Sequence, residues 1–209
     1  MNPTGCLTTQ AQDLGVCITD AQAEQLLLFL NLLAKWNKVH NLTAVRDVDK
    51  MLTHHILDSL SVAQHVRAPS LLDVGSGAGL PGIPLAIADP LQSITLIDSN
   101  KKKISFLRQA VMELGLKNVH VIAGRVEALA PKQTFDGIIS RAFSEINQFI
   151  ALTRPLLAKD GYWYAMKGLY PTAELQQLPN GIALQSVQAL NVPLLDAQRH
   201  LVILKEANG

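Results

Sequence analysis

The sequence predicts an α/β protein built on a Rossmann-like sheet, and three observations carry that expectation. From Ser70 onward, short apolar runs alternate with helical stretches across short loops, the texture of a parallel sheet covered by helices on both faces. A glycine-rich turn lies where the first of those runs hands over to a helix. Ahead of Ser70 the pattern is helical only, so residues 1–68 read as an N-terminal helical region and residues 69–209 as the sheet-bearing domain.

Composition narrows the classes. Of 209 residues, 48% are hydrophobic and 17% charged, enough apolar material for a sizeable core and too much for a disordered chain. The formal net charge of +1 excludes a protein that holds nucleic acid by bulk charge, so any such partner must meet a local patch. Cys6 and Cys17 form neither a disulfide framework nor a zinc motif. No basic stretch leads into an apolar run at the start, and the apolar run Leu26–Leu33 is too short to span a bilayer. These features lead to the expectation of a soluble, cytoplasmic, monomeric protein that contacts no membrane.

The elements follow in order. Residues 1 to about 18 carry little pattern, consistent with a short helix or a frayed end. Thr19 with Gln22 makes a capping box, and Leu26, Leu30, Leu33 and Trp36 follow at helical spacing. Met51, Leu52, Ile56, Leu60 and Ala63 predict a second helix over Asp49 to Val66, closed off before Pro69. Strands are predicted at 71–74, 93–98, 119–122, 135–140 and 162–166, with helices at 85–88, 104–114 and 146–157. Gly115 supplies a helix stop. The runs 185–190 and 201–205 have no helical period between them and read as an antiparallel pair at one sheet edge.

The strongest local signal is Leu71-Leu72-Asp73-Val74-Gly75-Ser76-Gly77-Ala78-Gly79-Leu80-Pro81-Gly82. Its spacing is G-x-G-x-G, whereas a dinucleotide loop reads G-x-G-x-x-G and must make room for a pyrophosphate. Adenosylmethionine has no pyrophosphate, and the acid at Asp73 suits its ammonium group. Glycine here allows a tight turn and a close approach of ligand to backbone. Asp98 ends the second strand 23 residues after Gly75, where a carboxylate can accept both ribose hydroxyls; it is also placed to cap the next helix. Gly124-Arg125-Val126-Glu127 follows the third strand, where an adenine ring would lie.

Together with Lys35-Trp36-Asn37-Lys38, Asn41-Leu42-Thr43, His55-Ile56-Leu57-Asp58-Ser59, Leu80-Pro81-Gly82-Ile83-Pro84, Phe106-Leu107-Arg108, Ser140-Arg141-Ala142-Phe143, Lys167-Gly168 and Arg199-His200-Leu201-Val202, these stretches resemble the bacterial small-subunit ribosomal RNA guanine-N7 methyltransferase family, RsmG or GidB. The resemblance runs from about Leu26 to Lys205. It implies a seven-stranded class I methyltransferase sheet with its last strand antiparallel, behind a helical N-terminal extension. It also implies S-adenosylmethionine as cofactor and 16S ribosomal RNA, or the small ribosomal subunit, as partner. By position, Gly75 and Leu80 would line the cofactor, with Gly77 in the same loop. Val126 and Glu127 would flank the adenine, and Arg141 would reach the cofactor or the target base.

Guanine N7 has an in-plane lone pair and no proton, so in-line transfer needs no general base, and no catalytic side chain is assigned. The sequence fits that absence. Cys6 and Cys17 lie far from the loop, against a cytosine-C5 enzyme, and Ser140-Arg141-Ala142-Phe143 stands where an adenine-N6 enzyme carries an Asn- or Asp-Pro-Pro-aromatic stretch. Arg46, Arg108, Arg141, Lys167 and Arg199 are candidate RNA contacts if they cluster at the cofactor mouth. Lys101-Lys102-Lys103 is either a solvated first turn or a phosphate contact. Phe143 can stack on a base or pack in the core. His54, His55 and Asp58 lack an evident third ligand, so no metal is expected and a hydrogen-bonded structural pair is preferred. The competing function is a small-molecule methyltransferase, which would share the loop and need no basic rim.

Overall fold

The computed structural model describes residues 3–130, 133–141, 143 and 145–207; Ala142 of the Ser140–Phe143 motif lies outside them. A seven-stranded sheet runs in the order β3-β2-β1-β4-β5-β7-β6. Its strands are β1 (Ser70–Val74), β2 (Ser93–Asp98), β3 (Val119–Ala123), β4 (Phe135–Ser140), β5 (Leu157–Lys167), β6 (Ile182–Ala189) and β7 (His200–Glu206). The first five pair in parallel. β7 enters antiparallel between β5 and β6, so β6 alone forms that edge. The C-terminal runs are therefore an antiparallel pair, with only one of them on the margin.

The alternating side chains of the sheet feed two cores. Leu71, Ile94, Leu96, Ile139 and Tyr164 face a core shared with the N-terminal helices α1 (Pro3–Asp13) and α2 (Asp20–His40), and with α5 (Gly82–Ala88) and α6 (Lys101–Glu113). Leu72, Val74, Ile97, Ile138 and Trp163 face the opposite core, covered by α7 (Ile146–Thr153). α2 begins at the expected capping box: the Gln22 N–H donates to Thr19 Oγ1 at 3.2 Å and the Thr19 N–H to Gln22 Oε1 at 2.8 Å. The same Gln22 side chain donates to the Ile87 carbonyl at 2.7 Å, tying α2 to the end of α5. Phe106 of α6 meets the Phe29 and Trp36 rings of α2 at centroid distances of 6.2 and 5.6 Å.

Several predicted boundaries move. The helix expected over Asp49 to Val66 is α3 (Val48–Met51), a π-helical stretch at Leu52–Leu57 and α4 (Asp58–Leu60). The wider π turn rotates the residues after it relative to a uniform helix, and a π segment often marks a functional site. The helix expected to Leu157 stops at Thr153, where a 3₁₀ turn over Arg154–Leu156 with Pro155 leads into a β5 five residues longer than expected at its start. The quiet N-terminus holds α1, which buries Leu7 and Ala11. The last helix, α8 (Thr172–Leu175), follows β5.

Candidate functional site

Two cavities open at the C-terminal edge of the parallel strands, where open α/β sheets bind ligands. The first, about 500 Å³, lies over the ends of β1, β2 and β3 and includes Gly75, Asp98, Asn100, Lys103, Val126 and Glu127 in its wall. The loop after β1 turns with positive φ at Gly75 (69°), Gly77 (58°) and Gly79 (80°), a conformation that favours glycine at all three. Asp98 fixes the turn: its Oδ2 accepts from the Gly77 N–H at 3.0 Å and its Oδ1 from the Asn100 N–H at 2.8 Å. Asp98 is thus not the cap of α6. That role belongs to Asn100, whose side chain accepts from the Lys102 and Lys103 N–H groups at 2.9 and 3.3 Å.

Asp73 anchors the loop from below. Its Oδ2 accepts from the Gly82 N–H at 3.0 Å, while its buried Oδ1 has no hydrogen-bond partner among the described residues. Burial pushes the Asp73 carboxyl up to about 7, with the Gly82 N–H, the Arg141 charge and the Ser76 hydroxyl pulling the other way. Asp73 lies outside the cleft lining, so it is the carboxylate charge set beneath the glycine turn that suits the ammonium end of adenosylmethionine. Asp98, Val126 and Glu127, in the cleft wall, could hold its nucleoside.

The other loop candidates divide. Gly75, Asp98, Val126 and Glu127 line the cleft; Gly77 bonds to Asp98 beside it; the Leu80 side chain is 3% exposed and packed in the core, away from the lining. Phe143 packs as one of its two readings expected: half-buried, it meets Phe149 at a centroid distance of 5.4 Å, and it also contributes to the cleft wall. Lys103 lines the cleft with its Nζ 3.8 Å from Asp98, whereas Lys101 and Lys102 are exposed.

The second cavity, about 300 Å³, lies over β4, β5 and the start of β7, and includes His55, Asp58, Arg141, Met166, Lys167 and Arg199. Arg141 belongs to this cavity and not to the wall of the first. Ser140, the residue before it, donates from Oγ to the Val74 carbonyl at 2.8 Å, so one residue step separates the two sites. Asp58, 2% exposed, accepts Arg141 Nη1 on Oδ2 at 3.2 Å and Arg199 Nε on Oδ1 at 2.7 Å. The expected pairing of Asp58 with the histidines gives way to this arginine pairing. Lys167 is countered by Glu174, at 3.0 and 2.8 Å. His55 Nδ1 faces the His54 carbonyl at 2.9 Å and so carries the proton; Nε2 accepts from the Thr43 hydroxyl at 2.8 Å. Burial, then the Arg141 charge, lowers the His55 pKa to about 4, so the ring is neutral at pH 7.

Three of the five candidate RNA contacts therefore meet in one cavity, while Arg46 and Arg108 are exposed and line neither. The Asn37 side chain, donating to the Val45 carbonyl at 2.9 Å and accepting from the Thr43 N–H at 2.8 Å, shapes the loop that brings Val45 to the same wall. Asn100, Gln148 and Leu152 in the first cavity and Asp58 in the second escaped sequence reasoning as site residues. The signals were an Asn directly before a lysine run and a carboxylate inside the apolar stretch Ile56–Leu60. Among the described residues, no three His, Cys, Asp or Glu side chains gather as a metal site, and no helix is long and apolar enough to cross a membrane.

The family model described as rRNA small subunit methyltransferase G covers residues 22–202. The protein of that name from Methylobacillus flagellatus is 56% identical over 200 residues, spanning 95% of this chain and 96% of its own. The one from Chromobacterium violaceum is 54% identical over 186 residues, spanning 88% and 89%. Among solved structures, an O-methyltransferase from neocarzinostatin biosynthesis aligns with TM-score 0.60 at 18% identity, over 76% of this chain and 56% of that one. A ribosomal protein L11 methylase from Lactobacillus delbrueckii aligns with TM-score 0.58 at 13% identity, over 72% and 77%. Those likenesses give the class I methyltransferase fold; the sequence matches go further, and by them the chain belongs to the rRNA small subunit methyltransferase G family.

Proposed function

We propose that this chain transfers the methyl group of S-adenosylmethionine to N7 of a guanine in small-subunit ribosomal RNA, acting in the cytoplasm. The observation that carries the reading is the pair of cavities at one sheet edge, parted at the β1–β4 junction. The first suits a nucleoside with an ammonium-bearing tail, and the second suits a nucleotide.

When bound, the cofactor supplies a methyl group already activated by a sulfonium. The residues of the chain then have to position and to exclude water. Asp98 holds the Gly77 turn and would receive ribose hydroxyls, while Asp73, wholly buried beneath the loop, would act on the ammonium through its charge and its hold on the Gly82 N–H. Val126 and Phe143 give an apolar wall. Arg141 lines the second cavity, its charge acting on both Asp73 and His55, and would meet the nucleotide. No side chain need remove a proton, because N7 carries none.

Incubation with labelled adenosylmethionine and small ribosomal subunits lacking the modification tests the reading. Label in the RNA is expected. Cofactor binding without transfer to RNA would overturn it in favour of a small-molecule acceptor.

A further inference from the structure

We propose that Asp58 is a positioning residue: it holds Arg141 and Arg199 as a two-armed clamp that closes on one phosphate of the RNA beside the target nucleotide. The inference rests on the ribosomal RNA reading above.

Three observations lead to it. First, Asp58 joins distant parts of the chain. It lies at the start of α4, directly after the π turn; Arg141 follows β4, and Arg199 precedes β7. Its carboxylate is almost wholly buried, and each oxygen takes one arginine. Second, the bonds among the described residues use Nη1 of Arg141, to Asp58 and to the His54 carbonyl at 3.2 Å. They use Nε and Nη1 of Arg199, the latter to the Gln198 carbonyl at 2.8 Å. Both Nη2 groups are left for a ligand, on side chains 28% and 24% exposed toward the cavity. Third, charge selects the ligand. Two guanidiniums against one carboxylate leave one positive charge. Lys167 is balanced by Glu174 and His55 is neutral at pH 7, so the cavity complements a single phosphodiester. A fixed guanidinium pair loses less freedom on binding an oxyanion than two loose arginines would.

An oxyanion could come from RNA phosphate or from the carboxylate of the cofactor, and steady-state kinetics separate the two. The full-length protein, Asp58→Asn, Arg199→Ala and the double variant are assayed on small ribosomal subunits across a salt series, with cofactor affinity measured by calorimetry. Asp58→Asn is expected to raise KM for the subunit about tenfold and Arg199→Ala to do likewise, with the double variant no worse than Asp58→Asn alone. Cofactor affinity should stay within twofold. The log–log salt dependence of kcat/KM should flatten by about one in Arg199→Ala, as for one lost phosphate contact. A fall in cofactor affinity at unchanged KM would overturn the phosphate assignment. Additive losses, or loss of kcat and thermal stability with KM and salt slope unchanged, would reduce Asp58 to a structural tie. Arg199→Ala keeps the test decisive if Asp58→Asn does not fold. Failure of the wild-type protein to methylate subunit RNA would strike the underlying reading instead.

Discussion

The Gly82 N–H donates to Asp73 Oδ2 at 3.0 Å, linking the end of β1 to the start of α5 across the glycine loop. No side chain fits there: a Cβ on Gly82 would lie 2.3 Å from Leu96 Cδ2 and 2.8 Å from Asp73 Oδ2. Gly82→Ala should therefore displace the loop or the strand beneath it, at a cost of about 1–3 kcal/mol for overpacking. Thermal unfolding and cofactor titration check this, and both stability and affinity should fall together.

Asp73 gives the loop a pH dependence. Its folded pKa of about 7 lies above that of an unfolded carboxyl, so between about pH 4 and 7 the folded protein holds the proton more tightly. Stability from this group falls as pH rises through that window, by up to about 1.4 kcal/mol per pH unit. Asp73→Asn, which retains an acceptor for Gly82, should remove that slope from the ligand-free protein. It should also weaken adenosylmethionine by about tenfold or more, since the negative charge beneath the glycine loop is lost. Melting curves from pH 4 to 8, read as the difference between wild type and variant, test the first expectation; calorimetry tests the second.

His55 works in the opposite sense. Its folded pKa of about 4 lies below the ordinary 6.5, so the unfolded chain binds the proton more readily. The contribution is fully present above pH 6.5 and is lost as pH falls toward 4. His55→Gln should flatten this acid limb in denaturant titrations.

Asp98→Ala would leave the Gly77 and Asn100 N–H groups without their acceptor. Cofactor affinity is expected to fall at least tenfold, with the salt dependence of RNA binding unchanged. That outcome is checked by calorimetry beside filter binding of subunits.

What the sequence made legible is local. The capping box at Thr19 and Gln22, the alternation through β1 and β2, the G-x-G-x-G turn and Asp98 at a strand end all depend on neighbours within a few residues. The second cavity was less readable because its links are long: Asp58 and Arg199 are separated by 141 positions, and nothing near Asp58 announces that partner. The same limit explains the helix over Asp49 to Val66. Its apolar spacing suits a regular helix, yet the chain adopts a π turn at Leu52–Leu57, with His55 inside it held by Thr43 and Asp58 just after it held by two arginines. Arg108 illustrates the converse, since an arginine in a matching motif lines neither of the two cavities.

The central claim, guanine-N7 methylation, is tested most directly by nucleoside analysis of small-subunit ribosomal RNA after reaction with this protein and labelled adenosylmethionine. The expected result is label in 7-methylguanosine alone, at about one per RNA molecule. Label in any other nucleoside, or in the ribosomal proteins with none in the RNA, would contradict it.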